Sequence, residues 1–342
     1  MQNFCKNMIE IVGDTPILRI NSLSDLCGSD IFLKCENLNP GGSIKDRAAK
    51  GMLVSAIANG SLKSGMTIVE GTAGNTGIGL ALLGRSLGFP SLIVMPNNQS
   101  AKKVDMLRLY GAEVELVEPV AFANQNHFFH KAKSIALDQP KKFWWANQFD
   151  NIDNQKGHFD HTAPEIYEQL GGRLDYLVSV AGTGGTIAGN SRFLKNRIKG
   201  LKVVLCDPEG SGLEHYFHHG EFKATGDSFS EGIGIMRLVE NFKMAQIDEA
   251  MTVADKEAIL IANYLREHDG IVLGTSAALN VACAFKIARQ QKKGLRLLTF
   301  WCDAGERSQE KLYNEDFLQQ RGYQELLDKK YLEVSPFLDM LK

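Results

Sequence analysis

The chain has 342 residues, with 38 basic and 40 acidic side chains and a formal net charge of -2, a balance that offers no global cationic field to gather nucleic acid or an anionic membrane surface. With 44% hydrophobic and 23% charged residues, disordered, collagen-like and coiled-coil classes are excluded. The length suits about two domains of roughly 100–200 residues each.

Residues 1–13 hold no apolar signal core, and no uncharged stretch reaches the roughly 20 apolar residues that cross a bilayer. The longest apolar run, 271–285, contains Thr275, Ser276 and Asn280 and reads as protein interior. Six cysteines (Cys5, Cys27, Cys35, Cys206, Cys283, Cys302) are scattered without a C-x-x-C pair, so reduced thiols and a cytoplasmic location are expected.

The first motif in chain order is N-P-G-G-S-I-K-D-R at 39–47, opening a predicted helix that runs to about Asn59. Ser43 is expected to cap it, with Asp46 three residues on completing the capping pattern. Lys45 then stands in the first turn, where a cation opposes the helix dipole by about 0.3–1 kcal/mol. A solvated surface lysine is the ordinary reading of such a residue; a neutral amine or an imine is the functional one.

From 67 onward, short runs rich in Val, Ile and Leu alternate with amphipathic stretches. Strands are predicted at 67–70, 91–95, 113–117, 176–181, 203–206 and 295–302. Helices are predicted at 78–87, 101–110, 124–137, 164–170, 187–195, 256–267 and 277–290. Such alternation predicts an α/β fold of parallel sheets wound with helices on both faces. A pause at 150–156 suggests a crossing between two sheets, and the polar stretch 208–230 reads as a long surface loop.

Ligands of open parallel sheets bind where loops leave the carboxyl ends of strands. The loop G-T-A-G-N-T-G at 71–77 exposes backbone donors at a helix start and adds the Asn75 amide, a good place for a carboxylate. The loop G-T-G-G-T (Gly182, Thr183, Gly184, Gly185, Thr186) offers glycines, two hydroxyls and a helix N-terminus, the composition of a phosphate cradle. It carries no lysine, so it is not the G-x-x-x-x-G-K-[ST] nucleotide loop, and no G-x-G-x-x-G occurs to support a nicotinamide dehydrogenase. Three H-x-x-H pairs, at 127/130, 158/161 and 215/218, have no thiolate pair or H-E-x-x-H to make them a metal site and read as polar surface.

A phosphate cradle without a cation, a carboxylate-accepting loop and an imine-forming lysine converge on pyridoxal 5'-phosphate and amino-acid chemistry. The segments P-G-G-S-I-K-D-R, T-A-G-N-T-G-I-G-L-A, N-Q-F-D-N, G-T-G-G-T-I-A-G, E-G-I-G and L-G-T-S-A-A resemble those of the cysteine synthase and cystathionine β-synthase family of pyridoxal-phosphate enzymes. The likeness runs in family order from Gly13 to about Gly322.

That resemblance implies the fold of the fold type II, tryptophan synthase β-like enzymes: two doubly wound, mostly parallel sheets with the active site in the cleft between them. A smaller N-terminal domain of 1–15 and 40–150 and a larger domain of 16–39 and 151–342 are expected. The resemblance also implies that Lys45 carries the cofactor and acts as the acid–base group at Cα. Gly182, Thr183, Gly184, Gly185 and Thr186 would hold the phosphate, Asn75 would bond the ring hydroxyl, and Ser276 would face the pyridine nitrogen. A neutral hydroxyl there cannot hold that nitrogen protonated as a carboxylate would, which suits β-elimination better than transamination.

By the same resemblance Thr72, Ala73, Asn75, Thr76 and Gln148 would bind the substrate carboxylate, and Gly232 would border the mouth of the site. Two departures stand out: Ala73 occupies a place where the family commonly has Ser, a hydroxyl worth about 0.5–1.5 kcal/mol, and 150–158 lacks the family's prolines. The implied activity is β-replacement on an activated serine, O-acetyl-L-serine plus sulfide giving L-cysteine and acetate, in a homodimer. The rivals are cystathionine β-synthase chemistry, with homocysteine as the thiol, and a cofactor-binding regulatory protein without turnover. Partners would be small molecules only, with no nucleic acid and no membrane.

Overall fold

A computed structural model describes residues 4–341. Among the described residues ten strands form two sheets: β1 (Ile17–Arg19), β2 (Asp30–Lys34), β3 (Thr67–Gly71), β4 (Ser91–Pro96), β5 (Ala112–Val117), β6 (Phe143–Trp145), β7 (Tyr176–Val180), β8 (Lys202–Pro208), β9 (Glu249–Val253) and β10 (Arg296–Phe300). The larger sheet runs β1-β2-β10-β7-β8-β9 and the smaller β5-β4-β3-β6. Every pairing is parallel except β1 with β2. The fold is therefore α/β with two mostly parallel sheets, as the alternation of runs predicts.

Parallel strands need crossover connections, and these place helices on the sheet faces. The helix Thr275–Gln290 is buried on nearly every side, which explains its apolar run: it fills the centre of the larger core rather than a membrane. Among the described residues no helix is long and apolar enough to cross one. The smaller sheet builds its own cores, one of which packs Ala48, Ala49, Met52 and Leu53 of the helix Lys45–Ala58 against Ile68, Leu80 and Leu83.

The stretch after β6 carries the chain back to the larger sheet through the helix Asp153–Gly157, which lies against the Lys45–Ala58 helix. Gly51 and Gly157 meet there backbone to backbone: a Cβ on Gly51 would stand 2.5 Å from the Asp153 carbonyl oxygen.

Two local expectations are corrected. The polar stretch 208–230 is not irregular throughout, since Pro208 ends β8 and a helix spans Leu213–His219. The Ser43/Asp46 capping box does not form, because the helix begins one residue later than that box requires. Ser43 Oγ accepts from the Lys45 N–H at 3.3 Å, while Asp46 turns back to accept from the Gly41 N–H at 2.5 Å.

Candidate active site

The carboxyl ends of β3, β7 and β10 open into one cleft of about 500 Å³ between the two sheets. Lys45 lines it from the first position of its helix. The cleft wall also contains Thr72, Ala73, Asn75 and Thr76 from the loop after β3, Gln148 from the segment after β6, and Gly182, Thr183, Gly184 and Thr186 from the loop after β7. Gly232 and Ser276 complete it. Gly185 is the one expected residue that does not line the cleft. It is the first residue of the helix Gly185–Lys195 and packs on Asn154, whose Oδ1 lies 2.1 Å from where a Cβ would stand.

The loop after β7 presents unpaired donors. Gly184 has φ +80, the left-handed conformation that glycine adopts without a steric penalty, and Gly182 lies so close to the 232 loop that a Cβ would meet the Gly232 oxygen at 2.2 Å. Among the described residues, the N–H groups of Gly182, Thr183, Gly184 and Thr186 have no protein acceptor. Orphaned donors on a helix N-terminus are what an anion needs. Cradle and lysine together fit pyridoxal phosphate: the loop would hold its phosphate and Lys45 its aldehyde carbon.

The loop after β3 repeats the pattern. The N–H groups of Ala73, Asn75 and Thr76 likewise have no protein acceptor among the described residues, while Thr72 Oγ1 already accepts from Gly74 N–H at 3.2 Å. Thr76 donates its hydroxyl to Gln148 Oε1 at 2.6 Å, and the Gln148 NH₂ turns one N–H to the buried Glu70 carboxyl, which leaves its second N–H for a ligand. Ala73, half-buried, packs against the apolar cluster that includes Ile78 and Val104.

Gln148 is held from behind by residues the sequence does not reveal. Glu70, fully buried at the end of β3, accepts from the N–H groups of Asn147 at 2.8 Å and Gln148 at 3.4 Å, and burial pushes its carboxyl up to about 8. Asn241 donates to the carbonyls of Gln148, Phe149 and Asn151. Asn154 bridges the Gln148 carbonyl and the Thr183 hydroxyl, tying the carboxylate loop to the phosphate loop. Behind the phosphate loop, His158 places its ring nitrogens 3.0 Å from Thr162 Oγ1 and 3.3 Å from Thr186 Oγ1, and burial drives it down to about 3, so it stays neutral.

Across the cleft, Asn75 donates to Asp303 Oδ2 at 2.9 Å and accepts from Arg307. Burial pushes the Asp303 carboxyl upward against the pull of that hydrogen bond. Beside it Cys302 lines the cleft as a neutral thiol, pushed up by burial to about 12. Residues 303–307 read D-A-G-E-R shortly after β10, beyond Trp301 and Cys302, so a glycine close to a strand end was the signal available for finding them. The H-x-x-H pairs stay outside the cleft lining, but the expectation of polar surface fails for His158, which is buried against Thr162 and Thr186; no group of three or more potential metal ligands occurs among the described residues.

A family model described as pyridoxal-phosphate dependent enzyme matches residues 9–303. The chain is 43% identical over 333 residues to cysteine synthase 2 of Schizosaccharomyces pombe, covering 91% of this chain and 84% of that protein. The solved structure of O-acetyl serine sulfhydrylase isoform 3 from Entamoeba histolytica matches with a TM-score of 0.83 at 30% identity, with 97% of this chain and 98% of that one covered. An O-acetylserine dependent cystathionine beta-synthase from Helicobacter pylori matches with a TM-score of 0.81 at 31% identity, with 91% and 99% covered.

Proposed function

The chain belongs to the family of pyridoxal-phosphate dependent enzymes, and from that premise we propose that it replaces the acetoxy group of O-acetyl-L-serine with sulfide, giving L-cysteine and acetate. The observation that carries this reading is a lysine at a helix start, set in one cleft between two loops of unpaired backbone N–H groups. When bound, the cofactor supplies the electron sink that makes the substrate Cα proton acidic.

The protein's own groups do the rest. Ala73, Asn75 and Thr76 N–H groups and the second N–H of the Gln148 amide take the substrate carboxylate, which fixes Cα beside Lys45. Lys45 Nζ removes the proton from Cα as the Cβ–O bond breaks and acetate leaves. Sulfide then forms the Cβ–S bond, and Lys45 returns the proton to Cα. Thr183 and Thr186 add hydroxyl donors to the phosphate loop, and Ser276 offers the ring nitrogen a neutral partner. A second reading, homocysteine as the thiol, is favoured by the likenesses to the Helicobacter pylori enzyme and to a cystathionine beta-synthase of Dictyostelium discoideum at 34% identity.

The proposal extends to assembly and place. The smaller domain comprises 1–15 and 40–150 and the larger 16–39 and 151–342, of which residues 1–3 and 342 lie outside the described residues; membership of the two sheets supports this division. Half-exposed Val54 and Ile57 on the outer face of the Lys45–Ala58 helix support a homodimer. The six free cysteines support a reducing, cytoplasmic setting.

Borohydride reduction of the yellow protein followed by peptide mapping should place the cofactor on Lys45. Lys45→Ala should lower turnover by at least about 10²–10⁴-fold, the usual share of a general acid–base group. Cofactor fixed to another lysine would overturn the assignment, and a preference for homocysteine over sulfide would favour the second reading.

A further inference from the structure

Asn75 sits between one side chain that can only donate and one that accepts. An amide carbonyl accepts and an amide NH₂ donates, yet the two ends have the same shape, so an unpartnered amide can turn over. Here the Arg307 guanidinium meets Oδ1, and the Asp303 carboxylate meets Nδ2 at 2.9 Å. A half-turn of the amide would set NH₂ against guanidinium and carbonyl against carboxylate, losing both hydrogen bonds at once. The orientation of Asn75 is thereby fixed, with one N–H of its NH₂ left over.

The two clamping residues are themselves wedged. Arg307 also donates to the Gly41 carbonyl, in the loop that leads into Lys45, and lies 2.8 Å from where a Cβ on Gly42 would stand. The Asp303 carboxyl lies against Gly274, two residues before Ser276, with Oδ1 only 1.9 Å from a Cβ position there. That same Oδ1 is buried and has no hydrogen-bond partner among the described residues. Four segments therefore meet at this one point: the loop before Lys45, the loop of Asn75, the loop after β10 and the Gly274 turn that leads into Ser276.

We propose that Asp303 and Arg307 are positioning residues, which hold the Asn75 amide in one orientation so that its spare N–H faces the phenolic oxygen of the bound pyridoxal phosphate. This rests on the cofactor reading above. Neither residue touches the substrate; both act through Asn75.

The test is a double-mutant cycle on the holoenzyme, read by retention of the cofactor during dialysis and by the pH at which its visible absorption changes. Asn75→Ala and Asp303→Ala should each weaken retention by about five- to tenfold, the value of one hydrogen bond, and shift the absorption titration in the same direction. In the Asn75→Ala background, Asp303→Ala should add nothing further. Asp303→Asn keeps an acceptor for Asn75 and should restore most of the loss. Arg307→Lys keeps the charge but cannot reach both Asn75 and Gly41, and should resemble Asp303→Ala with folding intact by circular dichroism.

Equal losses from Asp303→Ala with and without Asn75 would overturn the clamp, as would an Asp303→Ala protein with unchanged retention and titration. A silent Asn75→Ala protein with cofactor still on Lys45 would overturn the role of Asn75 and leave the reaction standing. Absence of cofactor from Lys45 would instead sink the reading on which the inference rests.

Discussion

Glu70 is a fully buried carboxyl with no ion-pair partner among the described residues, and it accepts from two backbone N–H groups and from the Gln148 side chain, which together set the position of Gln148. Burial raises it from 4.5 to about 8. The folded protein therefore binds a proton that the unfolded chain releases, and stability is present below pH 4.5 and lost as pH rises through about 8. His158 acts with the opposite sign: lowered from 6.5 to about 3, it costs stability as pH falls from 6.5 toward 3. Glu70→Gln keeps an acceptor and removes the charge, so its stability relative to the parent protein should rise between pH 5 and pH 8.5 in urea titrations. A difference independent of pH would refute the assignment. None of this was legible beforehand, because a single Glu or His in a run of residues carries no mark of burial. Lys45 and Asn75, by contrast, stood out because each lies in a motif of small residues, while Gln148 was reached only through the family resemblance.

At the scale of elements, the Lys45–Ala58 helix is anchored by a buried charge network. Arg47, on its first turn, reaches Glu36 at 2.8 Å and Glu165 at 2.6 Å, and Glu165 also meets Lys34 at 2.8 Å. Burial opposes the Glu165 charge, but Arg47 and Lys34 outweigh it and hold the carboxyl near 2. Arg47→Ala would leave Glu36 buried with no cation in contact, a defect that costs about 3–5 kcal/mol. Chemical unfolding should show a loss of that size, together with weakened cofactor retention as the Lys45 end of the helix loosens. A loss below about 1 kcal/mol would show that the network is not holding the helix.

The same network explains what periodicity missed. β2 reads D-I-F-L-K, charged at both ends, yet Lys34 is fully buried because its partner Glu165 arrives from a distant helix. β9 reads E-A-M-T-V at a sheet edge, with no alternation, and β6 has three residues, too little for a pattern. The inner strands β3, β4, β7, β8 and β10, and the edge strand β5, announced themselves as runs rich in Val, Ile and Leu; the four missed ones, β1, β2, β6 and β9, are short or bear charges.

Over the whole molecule the cleft is bridged as well as lined. Lys103, on the smaller-sheet side, pairs with Glu231, which Lys311 also holds at 2.6 Å. Lys102 meets Glu310 at 2.7 Å, and the Arg237 guanidinium lies over the rings of Phe122, Phe129 and Phe149 at 4.5–4.9 Å. Burial works against the Glu231 charge, yet Lys103 and Lys311 hold it below the usual carboxylate range. Such half-exposed pairs add little to stability, so Glu231→Gln should change it by less than about 1 kcal/mol. Acrylamide should quench the bound cofactor's fluorescence more readily in that variant, and 1 M salt should bring the parent protein to the same level by screening the pairs. Unchanged quenching would show that these pairs do not govern access.

The larger sheet places β2 between the first strand and the last, so that Ser29 Oγ accepts from the Leu295 N–H across 266 residues. On a ribosome adding about 5–20 residues each second, β2 waits roughly 13–50 s for that neighbour. Meanwhile the four strands of the smaller sheet, contiguous in the chain, have all emerged. The nascent chain thus finishes the half that surrounds Asn75 early and carries an open strand edge, prone to pairing with other chains, until its last strand is made.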